Sequence, residues 1–135
     1  VKTPKYLNLL TLILLTLVCS LVGSANAAEE PEALYLFAPI QSTETYLMNR
    51  AGAALYTWTS NYTPGNAVYL LENGNLLRTG MVRNGAFDVG GAGGVVQEIA
   101  PDSSIVWEYR LADENAQLHH DIEPLPNGNI LMIAW

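Results

Sequence analysis

Cysteine occurs once in these 135 residues, at position 19, inside an apolar leader. The rest of the chain therefore has no disulfide framework, no thiolate nucleophile and no cysteine metal site. Positive charge is nearly as scarce. Beyond Lys5 the only basic residues are Arg50, Arg78, Arg83 and Arg110, while all thirteen acidic residues lie after position 28. Four against thirteen leaves that part at −9, against −7 for the whole chain. Phosphate backbones are bound by clustered Lys and Arg, so nucleic acid is disfavoured as a partner. Charged residues of both signs make up only 14%, below the ~25% usual for a globular protein. Histidine occurs twice, and no segment after residue 28 has a helical hydrophobic period.

What is there begins with an export signal. Lys2 and Lys5 precede an apolar run over residues 9–22, and Ala25-Asn26-Ala27 fits the small-x-small cleavage pattern. Residues 1–27 read as a signal peptide, and the remainder as periplasmic or secreted, free of the membrane after cleavage. The alternative is an uncleaved anchor, but the run is short for a span of about 20 residues. Cys19 is no lipoprotein acceptor, because Thr16 and Val18 stand where Leu and a small residue are wanted.

Residues 28–45 read as a polar lead-in, with one apolar patch, Leu34-Tyr35-Leu36-Phe37, that Pro31 and Pro39 keep short. Residues 46–135 read as all-β. Short strand-like segments at 46–48, 54–59, 67–71 and 76–79, the second of them alternating, are separated by turn residues. Asn73-Gly74 predicts a two-residue hairpin with positive φ at both positions. The pattern then recurs at 95–99, 105–109, 120–125 and 129–131, with Trp107 aligned on Trp58 and Asn127-Gly128 on Asn73-Gly74. Four short antiparallel strands repeating at roughly 50 residues predict β-propeller blades. A β-sandwich is the other architecture with such strands. A propeller needs about four to eight blades to close, so residues 46–135 are expected to be about two blades of an incomplete domain, the N-terminal part of a longer one.

The residues able to carry chemistry are few. His119-His120-Asp121 holds both histidines. An imidazole there could donate a proton or hydrogen bond to an anion, or act as a nucleophile, with Asp121 orienting it. In a regular strand the two rings point to opposite faces, so at most one faces any given pocket. The competing reading is a strand-entry histidine satisfied by the backbone. Two adjacent strand residues do not readily share one metal ion, so no metal or other cofactor is expected. Gly90-Gly91-Ala92-Gly93-Gly94 lacks dinucleotide spacing. Its expected role is tight turning or close approach, with an anion nest as the alternative. Arg78 or Arg83 could reach an anionic ligand through forked donors, or be solvated surface arginines. Trp58 and Trp107 read as packing between blades.

The segments "GGAGGVVQEI" and "IVWEYRLADENAQLHHDIEPLPNGNILMIAW", with the earlier "YLMNRAGAALYTWTSNYTPGNAVYLLENGNLLRTG", resemble the arylsulfotransferase family over residues 45–135. The block from His119 to Asn129 is the most specific part. The resemblance implies an exported six-bladed propeller that moves a sulfuryl group from a phenolic sulfate ester to a phenol, with no nucleotide donor. A channel histidine is implied to carry the group covalently, while further histidines and an arginine hold the sulfate oxygens. His120, or His119, matches the family's first histidine block, assisting the leaving phenol or binding sulfate. The sulfurylated histidine is implied to lie in a later blade. The partners implied are an aryl sulfate donor and a phenol acceptor. Two rivals remain: a non-catalytic propeller that binds a ligand or protein at its mouth, and a quinoprotein-like propeller.

Overall fold

The computed structural model describes residues 32–83, 87 and 90–135. The expected signal peptide, residues 1–27, lies outside the described residues. Residues 32–135 form one compact unit. It is all-β, with no helix among the described residues. Among the described residues there are nine strands: β1 (Tyr35–Phe37), β2 (Glu44–Met48), β3 (Ala54–Thr59), β4 (Pro64–Leu70), β5 (Leu76–Met81), β6 (Gly94–Ile99), β7 (Ile105–Arg110), β8 (Leu118–Pro124) and β9 (Ile130–Ala134). They pair antiparallel in three open sheets, ordered β1-β2-β3, β4-β5-β6-β7 and β8-β9.

The apolar patch of the lead-in is β1. It pairs with β2 through Leu36 and Leu47, so the first sheet starts before residue 46. The grouping of strands also differs from expectation. The sequence repeat groups β2 to β5 and β6 to β9, but the sheets break after β3 and after β7. Each repeat therefore straddles two sheets. A repeat in sequence fixes the order of strands but not which gap lacks hydrogen bonds.

The hairpin turns share one design. The amide of Leu71 donates to Asn75 O at 2.8 Å, and that of Gly74 donates to Leu71 O at 2.9 Å. The same pair of bonds recurs at 49–53, 100–104 and 125–129. These are three-residue loops closed by one left-handed residue, not the two-residue turn expected at Asn73-Gly74. That residue is Gly52, Gly74 and Gly128, each at φ 83°, and Ser103 at φ 67°. Asn73, Asp102 and Asn127 each accept the amide two residues on, which is why these side chains sit in turns. Nothing lies within 4 Å of a Cβ built on Gly128, so only backbone strain opposes a side chain there. Gly128→Ala is expected to cost about 1 kcal/mol, read as a lower urea midpoint with an unchanged m-value.

The turns also set which residues correspond between repeats. In β2–β3 the ladder pairs Leu47 with Tyr56 and Met48 with Ala54. In β6–β7 it pairs Glu98 with Trp107 and Ile99 with Ile105. Tyr56 therefore corresponds to Trp107, and Trp58 to Tyr109. The alignment of the two tryptophans on each other is corrected by two residues.

The four-stranded sheet lies between the other two. On one face, Leu76 and Ile99 bury Trp58, with Leu36, Leu47 and Val68 around them. On the other, Leu77 and Val96 pack against Leu118 and Ile122 of β8. Each such fully buried aliphatic side chain contributes about 1.5–3 kcal/mol. Polar groups join the first interface. Ser60 Oγ donates to Gln97 Oε1 at 2.7 Å, and Gln97 Nε2 donates to Glu108 Oε2 at 2.7 Å.

Candidate functional site

The two histidines lie in an irregular stretch of β8. Leu118 pairs with Ala134 and Ile122 with Met132, so three residues of β8 face the single Ile133 of β9. The same irregularity occurs 54 positions earlier. There Pro64 pairs with Gly80 and Val68 with Arg78. His119, His120 and Asp121 therefore occupy the bulge positions that Gly65, Asn66 and Ala67 fill in the preceding sheet. Bulges re-aim side chains. Here the bulge removes the alternation expected of a regular strand. The rings of His119 and His120 lie together, with centroids 4.0 Å apart and planes at 55°. Trp135 adds a third ring, 5.0 Å from His119.

The backbone beneath the rings is clamped. Ala92 bridges to His119, Gly93 N donates to Leu118 O at 2.9 Å, and His120 N donates to Gly91 O at 2.8 Å. From the other side, Thr79 Oγ1 donates to His120 O at 2.9 Å. The glycine run serves this close approach. A Cβ on Gly93 would stand 2.4 Å from His119 O, and one on Gly91 2.6 Å from His119 Nε2. A run lying where side chains would crowd is expected, and Gly91 and Gly93 lie so, against the side chain and the backbone of His119. Gln117 completes the clamp, its Nε2 donating to Val82 O at 2.9 Å and Gly93 O at 3.2 Å.

Nδ1 of both histidines is buried without a hydrogen-bond partner. Asp121, expected to orient an imidazole, holds neither Nδ1. It is exposed, and its charge is felt at Tyr69. The Tyr69 hydroxyl is pushed above its ordinary pKa by burial first, then by Glu123 and Asp121. That hydroxyl lies 2.8 Å from Ile122 O and 3.2 Å from Glu123 Oε2.

Arg78 is not in this group. It is neither solvated nor open to a ligand from solvent, being 1% exposed on the face of β5 that meets the first sheet. Its Nη1 donates to Thr43 O at 3.2 Å and its Nη2 to Tyr62 O at 3.0 Å. Those bonds tie β5 to the segments that flank β2 and β4. Arg83 is exposed beyond the end of β5.

Sequence reasoning missed Thr79, Gln117 and Trp135 as supports of the pair. One signal was available. The offset of 54 that aligns Asn127-Gly128 on Asn73-Gly74 also places His119-His120 on Gly65-Asn66. Asn66 is one of the two non-glycine residues with positive φ among those described, which marks that stretch as irregular. Among the described residues no group of three or more His, Cys, Asp and Glu could hold a metal ion. Chemically, the pair offers two imidazoles on a fixed backbone, able to donate to or exchange protons with a small anion. No protein-family model, curated protein or solved structure matches this chain.

Proposed function

We propose that this chain is part of an exported β-propeller that transfers a sulfuryl group from a phenolic sulfate ester to a phenol, as its resemblance to arylsulfotransferases implies. The three sheets are then successive blades, the four-stranded one complete, and β4 and β8 lie next to the channel. The observation that carries the reading is the pair of half-buried imidazoles, 4.0 Å apart and clamped through the backbone by the glycine run and Thr79.

In this reading a neutral imidazole from a further blade attacks the sulfur of the ester. The sulfur–oxygen bond to the phenol breaks, and the phenolate leaves with its electron pair. His120, with His119 beside it, donates a proton to the leaving oxygen or hydrogen bonds to the sulfate oxygens. The acceptor phenol then attacks the sulfur of the sulfohistidine and gives its proton to the deprotonated His120, while the sulfur–nitrogen bond breaks and regenerates the imidazole. No nucleotide sulfate donor and no cofactor is used. Arg78 serves the scaffold rather than the substrate.

The test is made on the complete propeller that contains this chain. With a chromogenic aryl sulfate alone, a mass increment of one sulfuryl group is expected on the protein, discharged when a phenol is added. His120→Ala is expected to lower turnover by about 100-fold or more, the usual contribution of a general acid. Absence of both adduct and phenol release across several donors would replace this reading with that of a non-catalytic propeller binding a ligand or protein.

A further inference from the structure

Two cavities, of about 730 and 470 Å³, lie between β9 and the outer half of the four-stranded sheet. Trp107, Ile130, Leu131 and Met132 line both, and Tyr109 lines the second. The preceding pair of sheets shows the same interface filled. There Trp58 packs on Leu76 and Ile99 and is 2% exposed. Tyr109, its counterpart by ladder register, is 43% exposed. The counterpart of Leu76 is present, as Ile130. The counterpart of Ile99 is not, because among the described residues no strand pairs with the outer edge of β9.

We infer that the open edge of β9 is the docking site of a β-hairpin of the β6–β7 kind, seated on β9 in the register that β6 takes on β5. The register follows from the central ladder, where Leu76 pairs with Ile99, Arg78 with Gln97 and Gly80 with Val95. The incoming strand places an aliphatic residue opposite Ile130, where it covers Tyr109 and Trp107. It places a further aliphatic residue opposite Ala134.

The composition of β9 fits an interior strand. Ile130-Leu131-Met132-Ile133-Ala134 carries no charge and no proline, the devices that blunt a true edge. Its alternate residues are already committed. Ile130 and Met132 pack on the central sheet, which fixes the face that the added strand must continue. The inference rests on ladder register, exposure and the composition of β9, and stands whether or not the sulfuryl-transfer reading does.

The test uses the 135-residue chain and a synthetic peptide with the sequence of residues 94–110, carrying Trp107→Phe so that only the chain's tryptophans fluoresce. Binding is expected to shift the chain's tryptophan emission to the blue. It is expected to slow amide exchange across residues 130–134 by about 10-fold or more. A peptide with Ile99→Asp is expected to lose that protection, because a carboxylate then faces Tyr109 and Trp107. No protection by the first peptide, or equal protection by both, overturns the proposal. So does a chain that is dimeric without peptide, with residues 130–134 already protected, since the occupant is then a second copy.

Discussion

Arg78→Ala is expected to lower the free energy of unfolding by about 3–5 kcal/mol. The side chain is 1% exposed between two sheets. Its removal leaves a cavity that the strands cannot close, and it strips Thr43 O and Tyr62 O of their guanidinium donors. No carboxylate is bonded to the guanidinium in the contacts described, so its stabilising effect comes from filling space and from satisfying carbonyls. Arg78→Met separates the two. It keeps most of the volume, loses the donors and is expected to cost about 1–3 kcal/mol. A pH series adds a second readout. Burial lowers the Arg78 pKa to about 10, so above that pH the unfolded chain binds more protons than the folded one. The stability linked to this group is fully present above the ordinary arginine pKa and lost as pH falls through about 10. The difference between the native protein and Arg78→Met should therefore widen as pH rises through 10. An alanine variant within about 1 kcal/mol of the native protein would remove Arg78 from this role.

The all-β class was legible in the sequence because its signals are local. Alternation marked β3, the recurrence of short segments between turns marked β5, β6 and β7, and the Asn-Gly pairs marked two of the turns. Three features were not legible, each for its own reason. The sheet boundary after Thr59 looks like any other polar turn, since Ser60 and Asn61 carry no sign that the ladder stops there. The burial of Arg78 depends on backbone carbonyls of Thr43 and Tyr62, and carbonyls belong to every residue. Trp58 and Trp107 attracted each other in alignment through residue type, although the turn at 100–104 shows Trp107 in the place of Tyr56.

The candidate site was half legible. Its histidines were conspicuous by rarity, but the geometry that brings them together was hidden. A bulge with two extra residues reads as a continuous strand, and alternation then sends the rings apart. Only the register against β9, and the matching register of β4 against β5, shows otherwise. The glycine run was legible as a close approach without its target being legible. The target is the peptide backbone of His119 and His120.

Gly93→Ala is therefore expected to have an effect far beyond the size of a methyl group. The added Cβ would stand 2.4 Å from His119 O and 2.9 Å from the carbonyl carbon behind it. Both atoms are backbone and cannot rotate away, so the loop and β8 must separate. Overpacking costs about 1–3 kcal/mol, and losing the bonds from Gly93 N to Leu118 O and from His120 N to Gly91 O adds about 1 kcal/mol each. The expected loss is about 3–5 kcal/mol in urea unfolding. Gly90→Ala is the control, because nothing lies within 4 Å of its added Cβ, and it should stay within about 0.5 kcal/mol. The histidines supply a readout beyond stability. His119 sits 5.0 Å from the Trp135 ring, so its imidazole proton resonances carry a ring-current shift. Gly93→Ala, studied where it remains folded, should move those resonances towards free histidine, while Gly90→Ala leaves them in place. If both variants unfold alike and leave the resonances untouched, the glycine run does not position the pair. On the proposed sulfuryl-transfer reading, the same displacement is expected to lower aryl sulfate turnover with Gly93→Ala and to spare it with Gly90→Ala.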